Sequence, residues 1–577
     1  MDKKRVSEIL EEMGTILELQ GANPFRTRAF HNGAIIISGV TEDLKQLVAE
    51  DRLTDIDGIG RGLAGIIKEL VETGSSSEYQ ELRFSLPPGL LEIVKIPGLG
   101  PKRVRILYER LGIESVADLK AAAEQHRLSE VEGFGEKTEA NILKGIERLS
   151  KSSDKHYIHK AFQVAEEVFQ ILKKRQDVGQ CEIAGSLRRR KEVIGDIDIV
   201  VSASKGDRQA IMSAFVEKAE RIIGQGDTKS SIVVSGGINC DLRIVEESEF
   251  PFALNYFTGS KEHNVEMRSL ARKKGWSLNE YAFSPLEENN KAKKVPRCRD
   301  ETELYAFLGL SYIPPELREN LGEFDAARDG TLPELVTLND LQGTFHCHTT
   351  YSDGSNTLEE TTNAARAKGW KYWGVSDHSR AAAYAGGMTQ QKAKAQLKEI
   401  DRLNASSGDM RIFKGIECDI LGDGTLDFSD KVLAGYEFVI GSIHSRFNMT
   451  ESEGTRRLLK AVKNKHVTMI GHPTGRLLLS RDGYPVNMTE IIQAAADYGK
   501  VLEINAHPYR LDLDWRLVKI AREKGVMLAI NPDAHNTDGL DDVQYGIGVA
   551  RKGWLEKKNV LNALPVQKVE AFFRKSK

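Results

Sequence analysis

The chain has 577 residues, 40% hydrophobic and 29% charged, too many for a single hydrophobic core and suited to about three to five domains of roughly 100–200 residues each. No uninterrupted apolar run approaches the ~20 residues that cross a bilayer, and the opening MDKKRVSEILEEMG lacks the apolar core of a secretory signal, so a membrane span is excluded and a cytoplasmic location is expected. A formal net charge of -3 offers nucleic acid no global attraction, and Cys181, Cys240, Cys298, Cys347 and Cys418, without a Cys-x-x-Cys pair, argue against a disulfide framework or a thiolate zinc knuckle.

The first 150 or so residues read as short helices punctuated by three similar hairpins, DIDGIGRGLAGIIKEL at 55–70, KIPGLGPKRVRILYERLG at 95–112 and EVEGFGEKTEANILKGI at 130–146. Each sets an apolar residue before Gly-x-Gly and runs on into an amphipathic helix, the pattern of a helix-hairpin-helix motif. The pairs Gly58 and Gly60, Gly98 and Gly100, and Gly133 and Gly135 permit positive φ and remove side chains, so backbone N–H groups opening the second helix can approach a phosphate. Such a module holds the DNA backbone without reading sequence, and Lys102, Arg103 and Lys137 add charge where the phosphate would sit. One Gly-x-Gly is as readily a plain tight turn; three in one region favour the phosphate-binding reading.

From about 156 a helical segment, YIHKAFQVAEEVFQILKKR, leads into apolar or alternating runs at 181–185, 196–202, 231–235 and 239–245, a mixed α+β pattern. Asp196 and Asp198 alternate with Ile197 and Ile199, so on a strand both carboxylates project from one face while the isoleucines enter a core. Asp241 follows the Gly236–Gly237 turn on what reads as an adjacent strand, and three carboxylates together suit two divalent cations. An isolated Asp-x-Asp is more often solvated, but here Gly185 and Ser186 precede a basic run, Arg188 to Lys191, whose donors suit either nucleotide phosphates or a DNA-facing surface.

A polar stretch at 287–304 and a linker with a short helix around 314–330 precede the main boundary, expected near 330–340. Beyond it the runs WGVSDH, RIFKGIECDI, YEFVIGSIHS, VTMIGHP, KVLEINAH and VMLAINPDAH alternate with helical patterns, which implies parallel strands and suggests a barrel. Near the ends of these runs stand His346, His348, Asp353, His378, Glu417, His444, His472, Asp533 and His535. His-x-His and Asp-x-His present both side chains on one face of a strand, and imidazoles with bridging carboxylates suit Zn²⁺, Mn²⁺ or Fe²⁺ better than Mg²⁺. Any one histidine is more readily a satisfied core or surface residue; the whole set at strand ends is what a barrel active site requires. Arg446, Arg476 and Arg510 follow ligand-bearing segments and are candidates to clamp phosphate.

Gly185-Ser186 with the arginines after it, Gly195-Asp196-Ile197-Asp198, and YFTGSKEHNVEMR at 256–268 resemble the palm and nucleotide-pocket motifs of family X DNA polymerases, over roughly residues 1–320. That resemblance implies a DNA polymerase filling short gaps in base excision repair, acting on gapped or nicked double-stranded DNA with dNTPs. Asp196, Asp198 and Asp241 would hold two Mg²⁺ or Mn²⁺ ions, and Gly185, Ser186 and Arg189 would meet the triphosphate. Tyr256, Phe257 and Gly259 would line the sugar, Asn264 the base, and Arg268 the template side. The histidine-rich set is similar to the PHP (polymerase and histidinol phosphatase) domain, over about 340–570, a distorted barrel with up to three ions. It implies a metal-dependent phosphoesterase, with the 3′–5′ exonuclease and abasic-site endonuclease activities associated with bacterial relatives that have both halves. One grouping places His346, His348, Glu417 and Asp533 at one ion, Glu417, His444 and His472 at the next, and Asp353, His378 and His535 at the third.

The expected architecture is multidomain α+β and α/β: an N-terminal helical region with a helix-hairpin-helix over 1–90, a second helical DNA-binding region over 91–150, a nucleotidyltransferase palm over 151–250, a nucleotide-selection subdomain over 251–320, a linker over 321–340 and the PHP barrel over 341–570. With every module in one chain, a monomer is expected. The alternatives are a polymerase fused to a small-molecule phosphatase of the histidinol-phosphatase type, or a DNA-end scaffold without catalysis, which the full set of acidic ligands disfavours. Two positions depart from vertebrate family members: Asn239 replaces an arginine two residues before Asp241, and Ile66 replaces the lysine that forms a Schiff base with an abasic sugar. Lys68 lies about 200° further round the helix. Reductive trapping on abasic DNA is therefore expected to give little or no crosslink to residues 1–90, and efficient crosslinking there would contradict it.

Overall fold

A computed structural model of the chain describes all residues except 2, 41, 97, 153–154, 287–294, 407, 409 and 576–577, so residues 287–294 of the polar stretch expected at 287–304 lie outside the described residues. The chain divides into two bodies, one of Met1–Ser153 with Leu479–Arg481 and one of Asp154–Leu478 with Asp482–Lys577.

The first body is helical around two apolar cores, one including Leu10, Met13, Leu47, Ile67 and Leu70, the other Leu90, Ile93, Leu107, Leu119 and Phe134. Its three hairpins share one geometry. Gly58, Gly98 and Gly133 sit at φ 89°, 87° and 88°, left-handed values open to glycine at no steric cost. The intervening Ile59, Leu99 and Phe134 are buried, and each donates its N–H to the carbonyl three residues earlier at 3.0 Å. Gly60 and Gly100 then open the helices Arg61–Thr73 and Pro101–Leu111 without a side-chain cap. Lys102 and Lys137 are exposed beside these turns. Arg103 is not free for phosphate as expected: it donates to Gly98 O at 3.0 Å and Gly133 O at 2.6 Å and lies over the Phe134 ring, tying the second hairpin to the third. Ile66 is buried, and Lys68 reaches Asp51 at 3.8 Å.

In the second body a five-stranded sheet comprises β1 (Cys181–Ile183), β2 (Asp196–Ser202), β3 (Arg221–Gln225), β4 (Lys229–Val234) and β5 (Ile238–Val245), in spatial order β1-β2-β5-β4-β3. Only β2 and β5 are parallel within it. Ile197 and Ile199 face a core shared with Ala161, Ala165 and Leu172 of helix Ile158–Lys173. A further core gathers Phe252, Trp276, Phe283, Tyr305 and Leu317 with Trp554. The linker expected at 321–340 is packed into this core: Phe324 and Ala327 of helix Glu323–Asp329 belong to it, and Glu323 Oε1 lies 2.9 Å from His263 Nδ1.

Seven parallel strands follow in chain order, β6 (Gly343–Thr344), β7 (Tyr372–Val375), β8 (Arg411–Asp419), β9 (Phe438–Ser442), β10 (Met469–Ile470), β11 (Val501–Asn505) and β12 (Leu528–Asn531). Ala534 joins the first segment to the last, donating to His346 O at 3.2 Å and accepting from His348 N at 2.8 Å. The seven strands thus form a nearly closed barrel, with Phe345, Tyr372, Phe413, Phe438 and Phe573 clustered together.

Arg318 is wholly buried between the Tyr305 and Tyr312 rings and donates to Glu301 Oε1 at 2.6 Å; Arg188 bonds the other oxygen at 2.7 Å. Burial opposes the Glu301 charge, but the two guanidiniums hold its carboxyl down at about 2. Arg318→Met is expected to lower unfolding stability by about 3 kcal/mol, because a buried carboxylate loses a partner. Urea midpoints measure this, and a loss below about 1 kcal/mol would mean that Arg188 alone suffices.

Candidate metal centres

The first centre is built by the parallel register of β2 and β5, which sets Asp198 opposite Asp241 and Asp196 opposite Asn239. Along β2 exposure alternates as expected, with Asp196 exposed, Ile197 buried, Asp198 half-buried and Ile199 buried. Burial, then the charges of Asp196 and Asp241, push the Asp198 carboxyl up to about 7. A buried carboxyl whose charge is opposed by two neighbouring acids is what a bound cation would relieve, so the donor set fits divalent ions. Gly185, at φ 63°, is required by this packing, since a Cβ there would lie 2.2 Å from Asp198 Oδ2. Ser186 Oγ is buried without a hydrogen-bond partner among the described residues. Where Asn239 leaves Asp241 without the arginine of vertebrate relatives, Lys229 Nζ on β4 stands 3.3 Å from Asp241 Oδ2.

The basic run does not act as one phosphate clamp. Arg188 is committed to Glu301 and to Thr258 Oγ1 at 2.7 Å. Arg190 stacks over Phe162 at 4.8 Å, and burial depresses the pKa of its guanidinium. Arg189 donates to Thr258 O and, through Nε, to Glu319 at 3.1 Å. Gly259 makes room for it, a Cβ there lying 3.0 Å from Arg189 Nη1. Tyr256 and Phe257, half-buried, meet edge to face at 5.2 Å on helix Phe250–Thr258, and Phe257 also packs under Arg243. Asn264 Nδ2 donates to Tyr256 O at 2.7 Å, while Arg268 is exposed one turn on.

The second centre gathers all nine residues singled out in the barrel half. Glu417 at the end of β8 lies 3.3 Å from His346 Nε2, 3.2 Å from His444 Nε2 and 3.1 Å from His472 Nε2 through Oε1, and 2.8 Å from His378 Nδ1 through Oε2. His348 Nε2 is 3.2 Å from Asp533 Oδ1, and Asp353 Oδ2 is 3.6 Å from His378 and 3.4 Å from His535. Three groups have donor atoms close enough to share a cation: His348, Asp353, His378 and His535; His346, His348 and Asp533; and His378, Glu417 and His444. This differs from the grouping expected from sequence: among the described residues His348 and His378 each belong to two sets, Glu417 to one and His472 to none. Segments β6, β7 and β12 are neighbours round the ring, so their donors interleave.

The donor set fits a metal on its hydrogen bonding as well. His346 Nε2, His348 Nδ1, His472 Nδ1 and Glu417 Oε2 are buried without hydrogen-bond partners among the described residues. Burial and the neighbouring His535 and His378 depress His348 to about 3, which keeps its ring neutral with a lone pair available. Asp533 and His472 adopt φ of 54° and 26°, left-handed backbone uncommon for residues with a side chain.

A second layer was not singled out from sequence. Glu503 of β11 accepts from His472 N at 2.6 Å, from Asn531 Nδ2 at 2.9 Å, and lies 2.6 Å from His346 Nδ1. Asp419 lies 3.2 Å from His444 Nδ1, and buried Asp377 accepts from Thr349 N and Ser352 Oγ, fixing the loop that carries Asp353. A lone carboxylate inside the apolar run VLEIN was the available signal for Glu503. Of the three arginines, Arg510 Nε reaches Asp533 at 3.5 Å and Arg446 is exposed. Arg476 is instead consumed internally by Asp514 at 2.7 Å, Arg510 O at 3.0 Å and Glu192 at 3.3 Å. Glu503→Gln is expected to weaken metal affinity about 10- to 100-fold by releasing the His346 ring. Chelator competition on the folded protein measures this, and native affinity would remove Glu503 from the centre.

Family comparisons match four segments: "Helix-hairpin-helix domain" at residues 1–76, "SAM-like Helix-hairpin-helix tandem" at 90–148, "DNA polymerase beta thumb" at 253–319 and "PHP domain" at 344–507. The DNA polymerase/3'-5' exonuclease PolX of Bacillus subtilis (strain 168) is 39% identical over 578 residues, covering 100% of both chains. DNA polymerase lambda of Rattus norvegicus is 26% identical over 341 residues, 54% of this chain and 56% of that one. A Caldicellulosiruptor bescii protein named "Probable phosphatase" is 29% identical over 199 residues, 33% of this chain and 78% of its own. With similarity running the whole length of the Bacillus protein and both halves matched separately, the chain belongs to the family X DNA polymerases that carry a C-terminal PHP domain.

Proposed function

We propose that the chain is a DNA-directed DNA polymerase that fills short gaps in base excision repair, and that its PHP half is a metal-dependent 3′–5′ exonuclease and abasic-site endonuclease. The observation that carries the reading is the opposition of Asp198 and Asp241 on parallel strands, with the unpartnered Ser186 Oγ in the turn that Gly185 opens. Asp196, Asp198 and Asp241 hold Mg²⁺ or Mn²⁺; the nine barrel residues hold up to three Zn²⁺, Mn²⁺ or Fe²⁺ ions. Such ions, when bound, supply electrophilic assistance to phosphoryl oxygens and acidify the attacking hydroxyl or water.

The chain's own groups do the rest. Ser186 donates to a triphosphate oxygen and Arg189 offsets its charge. Tyr256, Phe257 and Gly259 shape the sugar pocket, Asn264 meets the base, and Arg268 faces the template. The paired glycines from Gly58 to Gly135, with Lys102 and Lys137, grip the backbone of gapped or nicked DNA. In the barrel, Glu503 and Asp419 hold the rings of His346 and His444 with Nε2 turned inward, and Arg510 and Arg446 face the phosphodiester. The enzyme works as a cytoplasmic monomer; among the described residues no helix is long and apolar enough to cross a membrane.

Replacing Asp196 and Asp198 together by alanine is expected to abolish nucleotide addition at a one-nucleotide gap while digestion of a 3′-tailed duplex continues. Replacing His346 and His348 by alanine should do the reverse. Surviving extension in the first variant, or full digestion in the second, refutes the assignment concerned. Turnover of a phosphate monoester in preference to tailed DNA would favour a small-molecule phosphatase.

A further inference from the structure

Three residues that follow helix Gly185–Arg188, namely Arg189, Arg190 and Glu192, are held by the barrel half, while Lys191 shares Glu319 with Arg189. Lys552, the last residue of helix Val543–Lys552, is buried and donates to Arg189 O at 3.1 Å, Glu316 O at 3.4 Å and Glu319 Oε1 at 2.7 Å. Glu319 in turn accepts from Arg189 Nε at 3.1 Å and lies 3.5 Å from Lys191 Nζ. The Arg190 stem lies against Gly548, where an added Cβ would stand 3.2 Å from Arg190 Cβ. Glu192 meets Arg476 at 3.3 Å. One helical position from Lys552, Arg551 binds Glu316 Oε1 at 2.7 Å.

We propose that Lys552 is a positioning residue of the nucleotide site, so that the barrel half is a working part of the polymerase half; this rests on the reading of Arg189 as a triphosphate contact. Glu319 is a nearly buried anion shared by three cations, and only Lys552 among them comes from the barrel half. With Lys552 present, Glu319 is satisfied without Arg189 contributing its full charge, and the Arg189 carbonyl is pinned. Without it, the surplus negative charge binds Arg189 more tightly, and an incoming triphosphate must compete for the same guanidinium. The Trp515 ring under the Lys552 ammonium, 4.6 Å away, fixes the position of the charge from the barrel side.

Lys552→Met removes the charge and keeps most of the stem. In the full chain, single-nucleotide gap filling and digestion of a 3′-tailed duplex are measured side by side. The variant is expected to raise the KM for dNTP about tenfold with kcat within about twofold, and to leave digestion unchanged. Adding Glu319→Gln removes the surplus charge and is expected to bring KM back to within about threefold of native, a rescue that loss of packing would not give. A native KM in Lys552→Met, or a double variant as impaired as the single one, overturns the proposal. If Lys552→Met loses both activities together, the neutral pair decides: near-native KM supports the charge argument and raised KM overturns it. Arg189→Ala separates the underlying reading. If it leaves the dNTP KM unmoved, the triphosphate role falls and the positioning role with it; if it raises KM while Lys552→Met does not, only the positioning role falls.

Discussion

A charge taken out of water persists only beside a partner, and the second body is organised by that constraint. Glu301 lies between Arg318 and Arg188, Glu319 among Arg189, Lys191 and Lys552, and Glu417 within a ring of imidazoles. Around Glu301 both guanidiniums are spent on the carboxylate, which is a structural tie, whereas Glu319 shares its cations with the loop that carries Arg189. Asp198 departs from the pattern, because its neighbours are further acids. Burial, then those acids, raise its carboxyl, leaving its charge poorly compensated within the protein. The barrel centre departs in another way, with buried nitrogens and an oxygen that approach one another yet remain outside hydrogen-bond geometry. Both deficits are of the kind a cation fills, and they separate the two centres from the ion pairs that only hold the fold.

Much of this was legible in the sequence wherever a short period carries the information. The alternation Asp196-Ile197-Asp198-Ile199 fixes which side chains share a face whatever the rest of the fold does, and the structure preserves it. The repeated hairpin was legible because glycine at positive φ has few substitutes, and all three copies adopt it. The nine candidate ligands of the barrel were visible because parallel strands deliver their C-terminal ends to one rim.

What escaped detection depends on contacts between distant segments. Nothing local distinguishes Arg189 from Arg188 and Arg190, yet Arg188 is taken by Glu301 and the stem of Arg190 rests against Gly548. Arg476 follows a ligand-bearing segment like Arg510, but its donors are spent on Asp514 and on carbonyls. Glu503 lies on the one barrel strand whose end supplies no expected ligand, and its importance comes from His346, Asn531 and the His472 amide, each from a different strand end. Which ligands cluster with which follows from ring adjacency, so His348 and His378 are shared in a way that spacing along the chain does not encode.

The link between the first and last barrel segments through Ala534 has a temporal side. His346 and His348 leave the ribosome early among the barrel residues, whereas Asp533, Ala534 and His535 emerge nearly two hundred residues later. Until then the rim is an open arc lacking its seam, and the earliest imidazoles have no opposing carboxylate. The strands of the five-stranded sheet are complete long before, so translation finishes the sheet that bears Asp198 well ahead of the ring that bears Glu417. A nascent polypeptide can therefore own the first centre while the second does not yet exist.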